Sequence, residues 1–275
     1  YMINNLKCWY NGNITKLQDV NVSILDFGFI HCDATYDVMK SKNGKILFYD
    51  KHLNRFNGSC KKFGFTLDFD IKKIATDLLE LNNIKDAFIW VISWRGTPPS
   101  GSPRDMSGPQ HTVIYVKPYY GIKNDYVNLV VDHHHRRTPD ECYGQQYKNF
   151  AWIELTLSQK YADMNSADSA IILSKEGFIT EGPGFGICFV TDNGEVLTPK
   201  KDVLNSITIE VVEDICKEQN IEFKRKDMYI AEGLSAKECF ICSTSGGITL
   251  VNMLEDATYS HELSKKLMYE YSSRF

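Results

Sequence analysis

Both halves of this chain carry the same mixture: apolar runs of strand length set beside stretches with helical period, divided at Pro118-Tyr119-Tyr120-Gly121. That mixture confines the fold to α+β layers, and the break puts two such units in one chain. In the first half, residues 7–16 read as a hairpin turning at Asn11-Gly12, and a second hairpin turns about Asn43-Gly44. A helix is predicted from Lys51 to about Phe63. Another runs from Asp70 to Leu81, with Ile71, Ile74, Leu78 and Leu81 on one face. Phe88–Trp94 and His111–Val116 read as strands, and Arg95–Pro109 between them holds four prolines and three glycines and is a loop. In the second half, Val127–Val131, Ala170–Leu173, Phe185–Val190 and Glu238–Cys242 read as strands. Phe150–Met164, Ile207–Gln219 and about His261–Tyr271 read as helices. The expected division is 1–118, a linker at 119–124, and 125–275.

A length of 275 residues supports two domains with sizeable cores. The net charge of −4 is spread over both signs with no basic stripe, which argues against nucleic acid as the main partner. No apolar run approaches the ~20 residues of a membrane span. The first residues, Tyr1 to Asn5, lack a charged-then-apolar pattern, so no leader is expected. Eight scattered cysteines in a chain of this size read as reduced thiols of a cytoplasmic protein. Cys239 and Cys242 lie in a strand-like run and face opposite ways, against a metal or redox pair. The run His133-His134-His135 alternates faces on an extended segment, again against a metal site.

The chemistry concentrates between Gln145 and Pro199. Lys148 precedes a helical period set by Phe150, Ile153, Leu157 and Tyr161. A lysine at such a boundary can lie desolvated in a cleft, which lowers its pKa and frees the amine as a nucleophile. Glu181 ends a β-rich run and opens the turn Gly182-Pro183-Gly184-Phe185-Gly186, where a carboxylate can oppose a positive charge. Three places could hold a phosphate: the guanidinium of Arg55, the helix start at Asn205-Ser206-Ile207-Thr208, and the small-residue turn Ser243-Thr244-Ser245-Gly246-Gly247. For Arg55 a surface or interhelix salt bridge is the alternative. For the helix start it is water, and for the turn a plain connection.

Lys-Asn-x-x-Trp-x-Glu-Leu at 148–155, Thr-Glu-Gly-Pro-Gly-Phe at 180–185 and Leu-Thr-Pro at 197–199 resemble the class IV pyridoxal-phosphate aminotransferases. That group holds branched-chain and D-amino-acid aminotransferases, (R)-selective amine transaminases and aminodeoxychorismate lyases; the nearest likeness is to the (R)-amine branch. The resemblance covers nearly the whole chain. It implies fold type IV: an α+β chain with a small N-terminal domain, a larger C-terminal domain and pyridoxal 5′-phosphate in the cleft between them. Lys148 would hold the cofactor aldehyde as a Schiff base and then shuttle the substrate proton, and Glu181 would pair with the pyridine nitrogen. Arg55, Ile207, Thr208 and Thr244 would bind phosphate. His31, Tyr36, Trp152 and Ser245 would line the substrate pocket, and Arg104 would meet the carboxylate of a 2-oxo acid, with Arg95 either sharing that role or structural. The stretch Arg136–Pro139 looks like the family's approach to its lysine, in a structural or cleft-rim role. Two departures stand out: Ser206 and Ile209 flank the Ile-Thr pair where the family often has Gly and Arg, and Gly186 stands where Asn is common. The implied activity is ping-pong transfer of an amino group from a D- or (R)-configured or branched-chain donor to a 2-oxo acid, by a homodimer. A lyase of the same family and a non-catalytic cofactor-binding homologue are the alternatives.

Overall fold

The computed structural model describes residues 5–121 and 124–275. The chain divides into two compact units, one of Tyr1–Tyr120 with Tyr147–Ala151, the other of Gly121–Gln146 with Trp152–Phe275. Residues 122 and 123 of the expected linker lie outside the described residues.

The first unit holds β1 (Lys7–Tyr10), β2 (Asn13–Lys16), α1 (Phe27–Ile30), β3 (Ala34–Lys42), β4 (Lys45–Ile46), α2 (Tyr49–Phe63), α3 (Ile71–Leu81), β5 (Ala87–Arg95) and β6 (Gln110–Pro118). Its strands form one antiparallel sheet in the order β2-β1-β6-β5-β3-β4. Alternation along β5 sorts the two faces: Ala87, Ile89 and Val91 are fully buried in the core with α2 and α3, whereas Phe88, Trp90 and Ile92 are half-buried. Asp70 caps α3 by accepting the Lys73 amide at 3.0 Å. The buried stripe of α3 is Ile71, Ala75, Leu78 and Leu79, and Leu81 is exposed. The expected stripe put Leu81 inside because four large aliphatics outweigh one alanine in a sequence count. The helix instead seats small Ala75 against the sheet, which rotates Leu79 inward.

The second unit holds β7 (Tyr126–Arg136), α4 (Asp140–Tyr143), α5 (Ile153–Met164), β8 (Ser169–Leu173), β9 (Gly186–Val190), β10 (Val196–Thr198), α6 (Ile207–Glu218), β11 (Phe223–Arg225), α7 (Ile230–Leu234), β12 (Glu238–Ser243), β13 (Gly247–Leu254), β14 (Ala257–Thr258) and α8 (Glu262–Ser272). Its eight-stranded sheet runs β11-β10-β9-β12-β13-β7-β8, with β14 beside β13; the β10–β11, β13–β7 and β7–β8 pairs are parallel. At the end of β7 the expected alternation of the histidines fails. Asp132 accepts from the His134 and His135 amides and from His135 Nδ1, and the ladder to β8 slips between Asp132 and Arg136.

The predicted helix from Phe150 begins instead at Ile153. Asn149 explains the delay: its side chain accepts the Ala151 amide at 2.8 Å and donates to the Tyr147 carbonyl at 2.9 Å, closing a local turn that competes with helix. The buried face of α5 is Glu154, Leu155, Ser158 and Ala162, while Ile153 is exposed. The apolar period pointed to the wrong face because the inner one carries a glutamate whose partner lies far along the chain.

Glu238 is a buried carboxylate on β12 that caps α8. It accepts from the Leu263 and Ser264 amides at 3.0 and 2.7 Å and from the Ser264 hydroxyl at 2.7 Å. Burial pushes its carboxyl up, but these donors more than offset that and hold it below the usual carboxylate range. A depressed folded pKa contributes stability that is full above the unfolded value of ~4.3 and is lost as pH falls through the folded one. Glu238→Gln is therefore expected to lose about 1–2 kcal/mol at pH 7, with the gap to wild type narrowing below pH 4 in urea melts. A gap independent of pH would remove the charge from this account.

Among the described residues no helix is long and apolar enough to cross a membrane, and no cluster of three or more His, Cys, Asp or Glu could hold a metal ion.

Candidate active site

In the first unit, the backbone of Lys148 is held on both sides. Its amide donates to Ser59 Oγ at 3.3 Å and its carbonyl accepts from Thr35 Oγ1 at 2.6 Å. Thr35 and Asn149 also bridge as antiparallel partners. Ser59 lies on α2 one turn after Arg55, whose carbonyl it bonds at 3.1 Å, so the lysine and the phosphate-arginine candidate share one patch. The Lys148 ammonium sits 4.5 Å from the centroid of the Tyr36 ring. Tyr36 stacks on Trp90 at 5.5 Å and Trp90 on Tyr115 at 6.0 Å, an aromatic wall leading away from the amine. Phe150 packs on Tyr36 at 5.0 Å.

Arg55 is clamped. Asp37, fully buried on β3, accepts from Arg55 Nε at 2.7 Å and Nη2 at 2.8 Å, and from His52 Nδ1 at 2.8 Å. Burial alone would raise the Asp37 carboxyl; Arg55 and His52 hold it well below the usual range. Arg55 thus makes a salt bridge, but a buried one to a strand and not the surface or interhelix one named as the alternative, and it fixes the guanidinium plane.

The Arg95–Pro109 loop is closed at its neck, where the Gly96 amide donates to the Pro109 carbonyl at 2.7 Å. A Cβ on Gly108 would lie 2.5 Å from the Gly96 carbonyl, so only glycine permits that approach. Asp105 organises the tip, accepting from the Ser100 hydroxyl at 2.6 Å and the Ser107 amide at 3.0 Å; the hydroxyls of Ser100 and Ser107 hold its carboxyl well below the usual range. Arg104 beside it is exposed. Arg95 is held within the unit: Nε meets Asp33 at 2.6 Å, Nη2 donates to the Phe63 carbonyl at 2.9 Å, and the guanidinium lies over Phe65. His31 ends α1, exposed, with its ring 4.4 Å from Phe27.

In the second unit, Glu181 is buried with two sets of donors. Arg137 reaches its Oε1 through Nε at 2.9 Å and Nη2 at 2.8 Å, and the Leu204 amide reaches its Oε2 at 3.2 Å. Arg137 Nη1 also bonds Glu154 of α5. Burial would lower the Arg137 pKa, but the Glu181 and Glu154 carboxylates raise it, so the guanidinium is a fixed charge. Arg137 was not singled out from the sequence as a partner of Glu181. Its one signal was the Arg136–Pro139 stretch ahead of Lys148.

After Glu181 the chain turns tightly, with Gly182 and Phe185 exchanging hydrogen bonds at 3.0 and 3.2 Å. A Cβ on Gly182 would lie 2.0 Å from the Phe185 ring, and Gly184 has φ +84°. Trp152 packs beside this turn, its ring edge 3.7 Å from where a Gly184 Cβ would stand. The turn and Ser245 border one cavity of about 320 Å³, with Ser243, Ile241 and Thr249 on its wall. Thr244 lies in the same tight connection, where Ser243 Oγ accepts the Gly246 amide at 2.9 Å. Ile207 and Thr208 head α6, whose N-cap Ser206 accepts the Ile209 amide at 3.4 Å.

The two departures noted in the sequence meet in space. A Cβ on Gly186 would lie 2.5 Å from Ile209 Cδ1, so the small residue and the large one fill a single volume. Gly186→Asn is expected to destabilise by about 1–3 kcal/mol in denaturant melts. Ile209→Ala in the same chain should recover most of it, and additive losses would disprove the coupling.

A sequence model of the amino-transferase class IV family matches residues 34–253. The chain belongs to that family. It is a pyridoxal-phosphate-dependent class IV transaminase with the two-domain α+β fold of type IV. A Methanocaldococcus jannaschii protein assigned to the branched-chain-amino-acid aminotransferases is 26% identical over 274 residues, covering 95% of this chain and 94% of the relative. A D-alanine aminotransferase of Staphylococcus haemolyticus is 25% identical over 258 residues, covering 89% of this chain and 88% of its own. The branched-chain aminotransferase structure from Escherichia coli superposes with a TM-score of 0.91 at 19% identity, over 98% of this chain and 95% of that one.

Each unit, taken by itself, holds groups that fit pyridoxal phosphate: the first an amine and a clamped guanidinium, the second a helix N-terminus, a hydroxyl-rich turn and a buried acidic cluster. On formal charges, Glu154, Arg137 and Glu181 carry one net negative charge, which suits a protonated ring nitrogen.

Proposed function

We propose that this class IV transaminase moves an amino group from a D- or (R)-configured amine or amino acid, or a branched-chain amino acid, to a 2-oxo acid in two half-reactions. The observation that carries this reading is the Glu154–Arg137–Glu181 cluster, in which two buried carboxylates share one guanidinium. The names of the branched-chain and D-alanine relatives support the substrate class. The mutual fit of Gly186 and Ile209 removes the main reason to favour a non-catalytic homologue.

Bound pyridoxal phosphate supplies an aldehyde that takes up the donor amine and a ring that stores the electron pair left when the donor C–H bond breaks. Lys148 Nζ would hold the aldehyde carbon until the donor amine displaces it, and the freed amine would then move the proton from the donor carbon to that cofactor carbon. Glu181 receives the ring N–H. Arg137 keeps that carboxylate paired while leaving the surplus negative charge. Arg55 in the first unit, and the Ile207 and Thr208 amides and Thr244 in the second, are the groups that would serve the phosphate. His31, Tyr36, Trp152 and Ser245 shape the donor pocket, and Arg104 binds the acceptor carboxylate. Val22, Ile24, Leu25, Phe29 and Ile30 expose an apolar segment in the first unit that suits a second copy of the chain, and the working form is a homodimer.

A panel of (R)- and (S)-amines with D- and L-amino acids, run against pyruvate and 2-oxoglutarate, tests the reading. Loaded protein should be yellow, bleach with a donor and recover with the acceptor. Protein that stays yellow with every donor would end the transfer reading. Arg104→Ala should raise the apparent KM for 2-oxo acids by roughly tenfold; unchanged acceptor kinetics would remove it from the site.

A further inference from the structure

We infer that Asp140 and Asp202 form a clasp that sets the position of Glu181, which makes them positioning residues for the ring-nitrogen contact; the inference rests on the function proposed above. Both donors to Glu181 come from irregular segments. Arg137 lies just past the end of β7, and Leu204 lies between β10 and α6. The Arg137 amide still donates to the Leu173 carbonyl of β8 at 2.9 Å, whereas the Leu204 segment leaves β10 and takes its ties from side chains.

The two segments are tied to each other by one reciprocal pair. The Asp140 amide donates to Asp202 Oδ1 at 2.7 Å, and the Asp202 amide donates to Asp140 Oδ2 at 3.0 Å. Asp140 Oδ1 also accepts the Gln145 amide at 2.9 Å, and the Gln145 side chain donates to the Thr138 carbonyl at 2.8 Å. Gln145 and Asp202 are buried. The clasp therefore sits three residues after Arg137 and two before Leu204, bracketing both donors.

This arrangement is energetically unfavourable in two ways. It sets the buried Asp202 carboxylate beside the half-buried Asp140 carboxylate, and it holds Asp202 at φ +56°. Burial, with Asp140, Glu141 and Glu176 nearby, pushes the Asp202 carboxyl up. A plain loop closure needs neither feature. A pair that must hold two hydrogen-bond donors on one carboxylate has a use for both, since each carboxylate can bind a backbone amide of the other segment.

The test uses two substitutions at 202. Asp202→Gly removes the carboxylate and suits the positive φ, so any loss comes from the missing acceptor. Asp202→Asn keeps an acceptor oxygen and also tolerates that φ. In the apoprotein, amide hydrogen exchange at Leu204 and Asp140 should accelerate by roughly tenfold or more in Asp202→Gly and stay near wild type in Asp202→Asn. In the loaded protein, Asp202→Gly should lower kcat roughly tenfold with the best donor of the panel at little-changed KM, and weaken retention of pyridoxal phosphate. Asp202→Asn should restore both.

The inference is overturned if Leu204 exchange is unchanged in Asp202→Gly. It is equally overturned if exchange accelerates while kcat and cofactor affinity hold, or if Asn loses as much as Gly. Should Asp202→Gly fail to fold, Asp140→Ala carries the same expectations, read at the Asp202 and Leu204 amides. Wild-type protein that never bleaches would sink the transferase reading alone. The exchange and cofactor-affinity measurements would still decide the clasp.

Discussion

Lys148→Ala should abolish amino transfer, lowering the rate by roughly a thousandfold or more. The side chain is asked to do two things, to carry the cofactor aldehyde covalently and to move the proton at the donor carbon, and alanine does neither. The backbone around it should survive, because Ser59, Thr35 and Asn149 hold main-chain atoms and not the amine. The variant loses the ammonium contact to Tyr36 and is expected to melt within about 1–2 kcal/mol of wild type while losing turnover. Borohydride reduction of loaded wild type, followed by peptide mapping, should place the label on Lys148. A label on another lysine, or turnover within tenfold of wild type in Lys148→Ala, would overturn the assignment.

Arg137→Ala should be the most damaging single change to stability. It leaves Glu154 and Glu181 buried side by side with no guanidinium between them. Breaking a buried pair by removing one partner costs about 3–5 kcal/mol, because the orphaned charge stays desolvated. Arg137→Lys should recover only part, since an ammonium cannot offer the fork that reaches two carboxylates at once. Glu154→Gln placed on top of Arg137→Ala should return some of the loss by removing one of the two like charges. Equilibrium urea unfolding of the three apoproteins checks this ordering. An Arg137→Ala loss under 1 kcal/mol would show that solvent reaches the cluster.

The elements named from the sequence were legible because local patterns decide them, whereas β10, β11, α7, β13 and β14 were not read there. Asn11-Gly12 and Asn43-Gly44 turn hairpins as expected, and Asp70 caps α3. The misreadings have separate causes. The face of α5 depends on Arg137, seventeen residues before Glu154, whereas the start of that helix is set by the local Asn149 turn, which an apolar count does not register. Leu81 was placed inside for a third reason, that a sequence cannot say which small residue the sheet will accept. In the site, Lys148 and Glu181 stood out through their motifs, whereas Arg137, Asp37 and the Asp140–Asp202 pair did not. Each of these partners is defined only by what it touches. Gly186 and Ile209 looked like two independent anomalies on paper and turn out to be two halves of one packing decision.

The loop that carries Arg104 has a consequence for how such an enzyme could change its diet. Its neck is fixed by Gly96 and Gly108, and its tip is wrapped around the Asp105 carboxylate. Residues on its outer surface, Arg104 among them, are mounted on a tip that holds its own shape, while Thr97 ties the neck to Asp26 at 2.9 Å, the carboxylate that also holds the Trp94 indole of β5. Exchanging the segment from Pro98 to Asp105 as a block, with Thr97 kept, should retune acceptor preference while sparing that tie to the sheet, which makes the tip the natural unit for loop grafting.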